Sequence, residues 1–287
     1  MSKPKDLKKY IFDFEALDEC PLCSSKSFIP AGKIQWLSNE FCFVLCPVCS
    51  LKYMNPRPTQ ASYNTFYKEY FWQQKIRNIG FKQPGQIWQG IYKKDKFHNE
   101  KEWKSKEGIQ RLKTRHLELR TNNIISILSR HIKLNEKTKI LEIGCAFGAT
   151  LQTISKQFGC KVHGIEPSLE ARQSIEKEAI IKLLGYFAQN LERISKQESK
   201  FDAIIFSHVL ENTTNPLEIL NYAKQCLKEK GVLYIETPNL LLFDAVNPYH
   251  PFIFSRHSLS LMLKKVGFKP EIVSENLDRM LRIVGRT

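Results

Sequence analysis

A chain of 287 residues that is 42% hydrophobic, with 13 Gly and 13 Pro, has the make-up of an ordinary globular protein, which excludes collagen-like and wholly disordered classes. The length fits one large domain plus a smaller one. The formal charge of +15 is concentrated in the middle: residues 61–135 carry 16 Lys+Arg against 6 Asp+Glu, or +10, while residues 1–60 carry +2 and residues 136–287 carry +3. No apolar run approaches the roughly 18 to 20 residues of a membrane span, and the start MSKPKDLKKYIFDFE lacks the apolar stretch of a signal peptide, so a cytoplasmic location is expected.

In chain order, residues 1–60 come first. Four of the 8 Cys form two CxxC pairs, Cys20/Cys23 and Cys46/Cys49. Each pair offers two sulfurs from one tight turn, so two turns complete a closed tetrahedral shell, and the segment reads as a zinc-ribbon-like lobe. A closed shell has no open position for substrate, so the zinc would be structural. A redox pair would expect its CxxC beside a βαβ unit, which this stretch lacks. Cys42 lies outside the spacing and is expected to pack in the strand FCFVL.

Residues 61–135 are basic and aromatic, with Tyr63, Phe66, Tyr67, Tyr70, Phe71 and Trp72 in one cluster. RLKTRHLELRTNNIISILSR is expected to be a helix that packs Leu112, Leu119, Ile124, Ile127 and Leu128 on a sheet. The stretch between Phe81 and Lys104, with FKQPGQIWQG, is expected to be a loop or lid. The charge of this linker suits a phosphate-bearing partner, or else a solvated helical face.

Residues 136–287 switch to short apolar strands separated by amphipathic helices, which predicts a parallel α/β sheet. The strands are KILEIG, KVHGIE, IIKLLG, FDAIIFS, GVLYIE, FKPEIVS and MLRIVG, with helices starting near Gly148, Ser168, Pro216 and Ser255. The first strand runs into the turn Gly144, Cys145, Ala146, Phe147, Gly148, and the second ends at Glu166, followed by Pro167. A glycine turn allows close approach of backbone to a ligand, and an acid at the next strand end can accept two ribose hydroxyls. The turn lacks GxGxxG spacing, so a pyrophosphate is not expected.

On these residues the segment resembles a class I S-adenosylmethionine-dependent methyltransferase, whose first motif is an acidic residue followed by GxGxG. Glu142, Gly144 and Gly148 match it, with Ala146 in place of the middle glycine. The resemblance implies a seven-stranded Rossmann-like sheet with S-adenosylmethionine as methyl donor. Glu142 would lie near the donor's amino-acid moiety, and Gly144, Cys145, Ala146, Gly148, Glu166, Pro167, Ser207 and His208 would line its site. The usual Leu-Glu-His triplet reads Leu210, Glu211, Asn212, so a base, where one is needed, must be another group. His250, in the loop after the fifth strand, is favoured, with His208 as a cofactor neighbour and Glu211 to orient a His or accept a substrate hydroxyl. Against each stands the plainer reading, a His that only bonds a loop or a carboxylate at a helix start. His257 is expected in a first helical turn capped by Ser255, His163 as packing, and Asn239 as an Asx turn or substrate ligand.

The CxxC pairs, NPRPT and Tyr-rich helix before such a domain also resemble bacterial surface-polysaccharide and sugar-nucleotide methyltransferases. The expectation is O-methylation of a small or sugar-linked, phosphate-bearing acceptor. The alternatives are an RNA methyltransferase, for which nucleic acid is the partner, and a non-catalytic cofactor-binding module.

Overall fold

The computed structural model describes residues 10–36, 38–69, 106–197, 200–241, 248, 250–274 and 278–287. The expected lid at 81–104, the aromatics Tyr70, Phe71 and Trp72, and Tyr249 lie outside the described residues. No helix among those described is long and apolar enough to cross a membrane.

The N-terminal lobe contains β1 (Phe14–Glu15), β2 (Ile29–Trp36), β3 (Asn39–Leu45), β4 (Lys52–Met54), β5 (Arg57–Pro58) and α1 (Gln60–Glu69). After it come α2 (Lys106–His131), β6 (Lys139–Ile143), α3 (Ala149–Phe158), β7 (Lys161–Ile165), α4 (Leu169–Glu178), β8 (Lys182–Gly185), α5 (Asn190–Ser195) and β9 (Phe201–Ser207). A 3-10 turn at Leu210–Asn212 leads to α6 (Pro216–Cys226), β10 (Leu227–Pro238), β11 (Phe252–Ile253), α7 (Arg256–Val266), β12 (Lys269–Ile272) and β13 (Met280–Arg286).

All seven strands read from the sequence form one sheet, in the order β12-β13-β10-β9-β6-β7-β8. The sheet is mixed rather than parallel, because β13 runs antiparallel to both β10 and β12. Chain length explains this: only residues 273–279 separate β12 from β13, and a parallel return needs a crossover of about a dozen residues or more.

Successive strand residues face opposite layers, as the pleat requires. Ile140, Val162, Ala203, Ile205 and Val232 pack with Ile124 and Leu128 of α2 and with Leu151 and Ile154 of α3. Leu141, Ile204, Phe206, Leu233 and Ile235 pack with α5, α6 and α7 through Leu191, Leu220, Leu259 and Leu263. Leu119 does not join its helix face and is 53% exposed. It is five residues before Ile124, about 140° around a helix at 3.6 residues per turn.

The helix starts carry the expected punctuation. Gly148 precedes α3 in a left-handed conformation, Ser168 accepts the Ala171 N–H, and Pro216 opens α6. Ser255 and Ser258 cap α7 reciprocally, with His257 in its first turn. His163 packs edge-on against Phe201, and Asn239 Oδ1 accepts the Leu241 N–H in an Asx turn.

The lobe is not closed on itself. Strands β2, β3 and β4 make a meander whose fourth strand is β11, from the far end of the chain, paired antiparallel with β4. Leu22, Leu51 and Tyr53 lie in the same apolar cluster as α6 and α7. The segments read as 1–60 and 136–287 therefore share a sheet and a core. On the other side of the meander, Phe12, Trp36, Phe41 and Phe43 pack with Tyr63 and Phe66 of α1. Cys42 alternates away from that core and sits half-buried with its sulfur 3.9 Å from a Glu40 carboxylate oxygen, so it is not the packing residue its strand suggests.

Candidate active site

The turn after β6 is built from left-handed residues: φ is 68° at Gly144, 49° at Ala146 and 77° at Gly148. Side chains at the two glycines would also collide, since a Cβ on Gly144 meets Val209 Cγ2 at 2.4 Å and one on Gly148 meets Ile181 Cδ1 at 2.3 Å. Glu166, at the end of β7, braces this turn by accepting the Ala146 N–H at 2.7 Å on Oε2, while its Oε1 accepts the Ser168 N–H at 2.8 Å. Cys145 contributes backbone here. Its buried sulfur lies against Gly164, and burial pushes its thiol well above the usual range.

The turn and Glu166 open onto a crevice at the C-terminal ends of the parallel strands, where open α/β sheets hold ligands. Gly144, Glu166, Pro167, Tyr186 and His208 line one side. Gln60, Asn64 and Tyr67 of α1 line the other, so the N-terminal lobe forms part of the cavity wall.

Glu142 lies buried on β6, and its Oε2 accepts no hydrogen bond among the described residues. Burial pushes its carboxyl up to about 8, opposed by the Arg120 guanidinium and reinforced by Glu166. Arg120, on α2, has a buried Nε that also lacks a hydrogen-bond partner among the described residues. Arg120 carries no signal of its own in the sequence. It is one of 16 basic residues in its segment, and only the packing of α2 brings it near β6.

His208, Glu211 and His250 converge. His208 is left-handed at φ 57°, and its side chain is 32% exposed to the crevice. Its Nδ1 is 3.3 Å from Glu211 Oε1 and its Nε2 is 3.6 Å from Glu236 Oε1. Glu211 is buried, and neither oxygen accepts a well-aligned hydrogen bond among the described residues. Burial drives His250 down to about 4, against the Glu211 carboxylate and with help from His208. Asn212 lines the crevice, donates to the His208 carbonyl at 2.8 Å and has a buried Oδ1 with no partner among the described residues. Ser207 points its hydroxyl at Glu236 Oε1, 3.4 Å away.

Apart from the crevice, Cys20, Cys23, Cys46 and Cys49 place their four sulfurs within 4.8 Å of one another, with Cys20–Cys49 and Cys23–Cys46 at 3.5 Å. Two matching turns produce this. The Cys20 N–H bonds the Ser25 carbonyl and the Ser24 N–H bonds the Cys20 carbonyl, and Cys46, Ser50 and Leu51 repeat the pattern. Each turn ends on a left-handed serine, Ser24 or Ser50. Burial acts to raise the Cys46 thiol, but the Cys49 and Val48 N–H groups outweigh it and bring it to about 7. Cys20 is instead raised by burial to about 11. A tetrahedral centre with bonds of about 2.3 Å sets its sulfurs about 3.8 Å apart, so the donor set fits such an ion.

Residues 116–273 match the model of a family described as "Methyltransferase domain". The chain belongs to that family. The methyltransferase is 33% identical over 119 residues to the ubiquinone biosynthesis O-methyltransferase of Glaesserella parasuis serovar 5 (strain SH0165), covering 37% of this chain and 50% of that one. It is 31% identical over 116 residues to the enzyme of the same name from Pasteurella multocida (strain Pm70), covering 36% and 48%. The chain thus spans about half the length of the curated relatives it matches. A solved S-adenosylmethionine-dependent methyltransferase from Archaeoglobus fulgidus aligns with 60% of this chain and 94% of its own, at 16% identity and a TM-score of 0.48. The family match covers the turn, Glu142, Glu166 and the His208–Asn212 segment, and begins after the Cys lobe and α1.

Proposed function

We propose that this methyltransferase uses S-adenosylmethionine to methylate a hydroxyl of a small, sugar-linked acceptor, in surface-polysaccharide or sugar-nucleotide metabolism, and that its Cys lobe holds a structural zinc ion. The observation that carries the reading is the two-sided crevice. The glycine turn and Glu166 form one wall, and Gln60, Asn64 and Tyr67 form the other.

When bound, S-adenosylmethionine supplies a methyl already activated by a sulfonium, and a neutral thioether as leaving group. Glu142 is buried and Arg120 half-buried, each with a hydrogen-bonding atom unused among the described residues, and with the Glu142 carboxyl ionised on binding the two suit a ligand end that carries both an ammonium and a carboxylate. Glu166, the acid at the end of β7, would accept the ribose hydroxyls, and its bond to Ala146 fixes the distance between acid and turn. The chain's further tasks are to align the acceptor oxygen and exclude water.

The hydroxyl proton passes to His208, the imidazole that lines the crevice, and Glu211 offsets the charge that forms. His250, held near 4 by burial, is a weak base and serves as a neutral neighbour. Amides and a tyrosine on the α1 wall suit hydroxyl groups, and the +10 balance of residues 61–135 supports a phosphate on the acceptor.

Incubating the protein with methyl-labelled S-adenosylmethionine and a fractionated cell extract tests the reading. Label is expected in a carbohydrate-containing, phosphate-bearing fraction. Label in RNA, or calorimetry showing no binding of the donor, would overturn it. Elemental analysis checks the lobe, with one zinc per chain expected.

A further inference from the structure

His208 has a carboxylate on each side, and the two are not equivalent. Glu211 Oε1 is 3.3 Å from Nδ1, and neither oxygen of that carboxylate accepts a well-aligned hydrogen bond among the described residues. Glu236 Oε1 faces Nε2 at 3.6 Å, and this carboxylate is saturated from behind. Its Oε2 accepts from Arg282 Nε at 2.6 Å and from the Tyr234 hydroxyl at 3.2 Å, while Oε1 takes the Ser207 hydroxyl at 3.4 Å.

The sheet register imposes this arrangement. Glu236 on β10 lies opposite Arg282 on β13 and opposite Ser207 on β9, and Tyr234 is two residues back on the same face. Glu236 also holds the backbone of the imidazole residue, since its carbonyl accepts the His208 N–H at 2.9 Å. The left-handed His208 backbone is then closed by Asn212 on the His208 carbonyl.

A buried ion pair is poor evidence for stability, because well-packed apolar residues often replace one without loss. This pair lies directly behind the side chain that faces the crevice, and its charge balance determines which ring nitrogen holds the proton. We propose that Glu236 and Arg282 are positioning residues that hold neutral His208 as the Nδ1–H tautomer, with the Nε2 lone pair free to accept the acceptor's proton. Arg282 cancels the charge of Glu236, so the proton stays on Nδ1 beside the uncompensated Glu211. Among the described residues, this cluster is also faced by His250, which feels both Glu211 and His208, and by Asp278, 3.3 Å from Arg282 Nη1. The inference rests on the reading of His208 as proton acceptor, and it asks what makes that imidazole competent.

The test uses the full chain without donor or acceptor, labelled with 15N-histidine. Ring nitrogens are read by long-range proton–nitrogen correlation at pH 7.5, and His208 is assigned by its absence in H208Q. Wild type and R282K are expected to show a protonated Nδ1 and a bare Nε2. R282M leaves Glu236 uncompensated and is expected to gain a proton on Nε2, whereas E236Q keeps the Nδ1–H form. A wild-type Nε2–H tautomer would overturn the proposal, and so would an unchanged tautomer in a folded R282M. Should R282M fail to fold, R282Q replaces it, with a proton on Nε2 again expected and an unchanged tautomer again overturning the proposal. Failure of the parent reading looks different: H208Q would methylate the labelled extract as well as wild type, whatever the tautomer.

Discussion

Glu166 accepts the backbone N–H of Ala146 at 2.7 Å, so the acid that ends β7 and the turn that follows β6 form one hydrogen-bonded unit. Glu166→Gln would keep the size of the side chain but present an amide that accepts only through its oxygen. Expected are a roughly tenfold or greater loss of S-adenosylmethionine affinity by calorimetry and, because a charge-assisted bond is lost, a destabilisation of about 1–3 kcal/mol in urea titrations.

Substitutions in the turn should divide sharply. Gly144→Ala and Gly148→Ala each combine a positive φ with a Cβ closer than 2.5 Å to a neighbouring methyl, and each is expected to cost more than about 2 kcal/mol. Ala146→Gly removes left-handed strain of about 1 kcal/mol while loosening the unfolded chain by a similar amount. Its denaturation midpoint should stay close to wild type and its donor affinity should be retained.

In the proposed donor site, Glu142 links donor binding to protons. Its carboxyl titrates near 8 in the folded protein against an ordinary 4.5, so the folded state prefers the proton. Its contribution to stability is therefore full below pH 4.5 and is lost as pH rises toward and through 8. Glu142→Gln should make the donor-free protein more stable than wild type at pH 8.5, by several kcal/mol, with the difference shrinking by pH 5. The same change should weaken donor binding, and wild-type calorimetry at pH 7 in buffers of different ionisation enthalpy should reveal proton release approaching one per donor bound.

For His250 the sign is opposite. Its folded-state value of about 4 is below the ordinary 6.5, so stability is lost as pH falls from 6.5 toward 4, while the unfolded chain takes up the proton first. His250→Asn should be less sensitive to acid than wild type when urea midpoints at pH 5 and 7.5 are compared. Equal sensitivity would mean that the ring is solvated.

The Cys cluster should influence the crevice through one strand pair. Tyr53 on β4 pairs with Phe252 on β11, and the Met54 N–H bonds the Pro251 carbonyl, one residue from His250. Stripping metal with a chelator, or Cys49→Ser, should lower hydrogen-exchange protection at Phe252 and Ile253 and reduce methyl transfer. Donor affinity, which the proposed site assigns to the ends of β6 and β7, should fall less.

How far the sequence reveals this architecture depends on the distance between interacting residues. The seven strands and the starts of α3, α4, α6 and α7 are legible because each signal is local, an apolar run or a cap at Gly148, Ser168, Pro216 or Ser255. The direction of β13 follows from the short 273–279 connection, although apolar pattern alone gives no hint of it. Arg120, Glu236, Arg282 and Asn64 carry no local pattern, and only the sheet register and the packing of α1 and α2 bring them to the site. A two-residue strand such as β11 is likewise invisible to periodicity.

The order in which the chain leaves the ribosome adds a constraint. Both CxxC turns precede β11 in the chain and can take up an ion before it, but the sheet beside them waits for residues 252–253 to complete its last strand. Until β11 has been made, β4 presents an unpaired edge, the kind of surface that recruits stray strands from other molecules. Production of soluble protein should therefore depend on how quickly translation passes from β4 to β11.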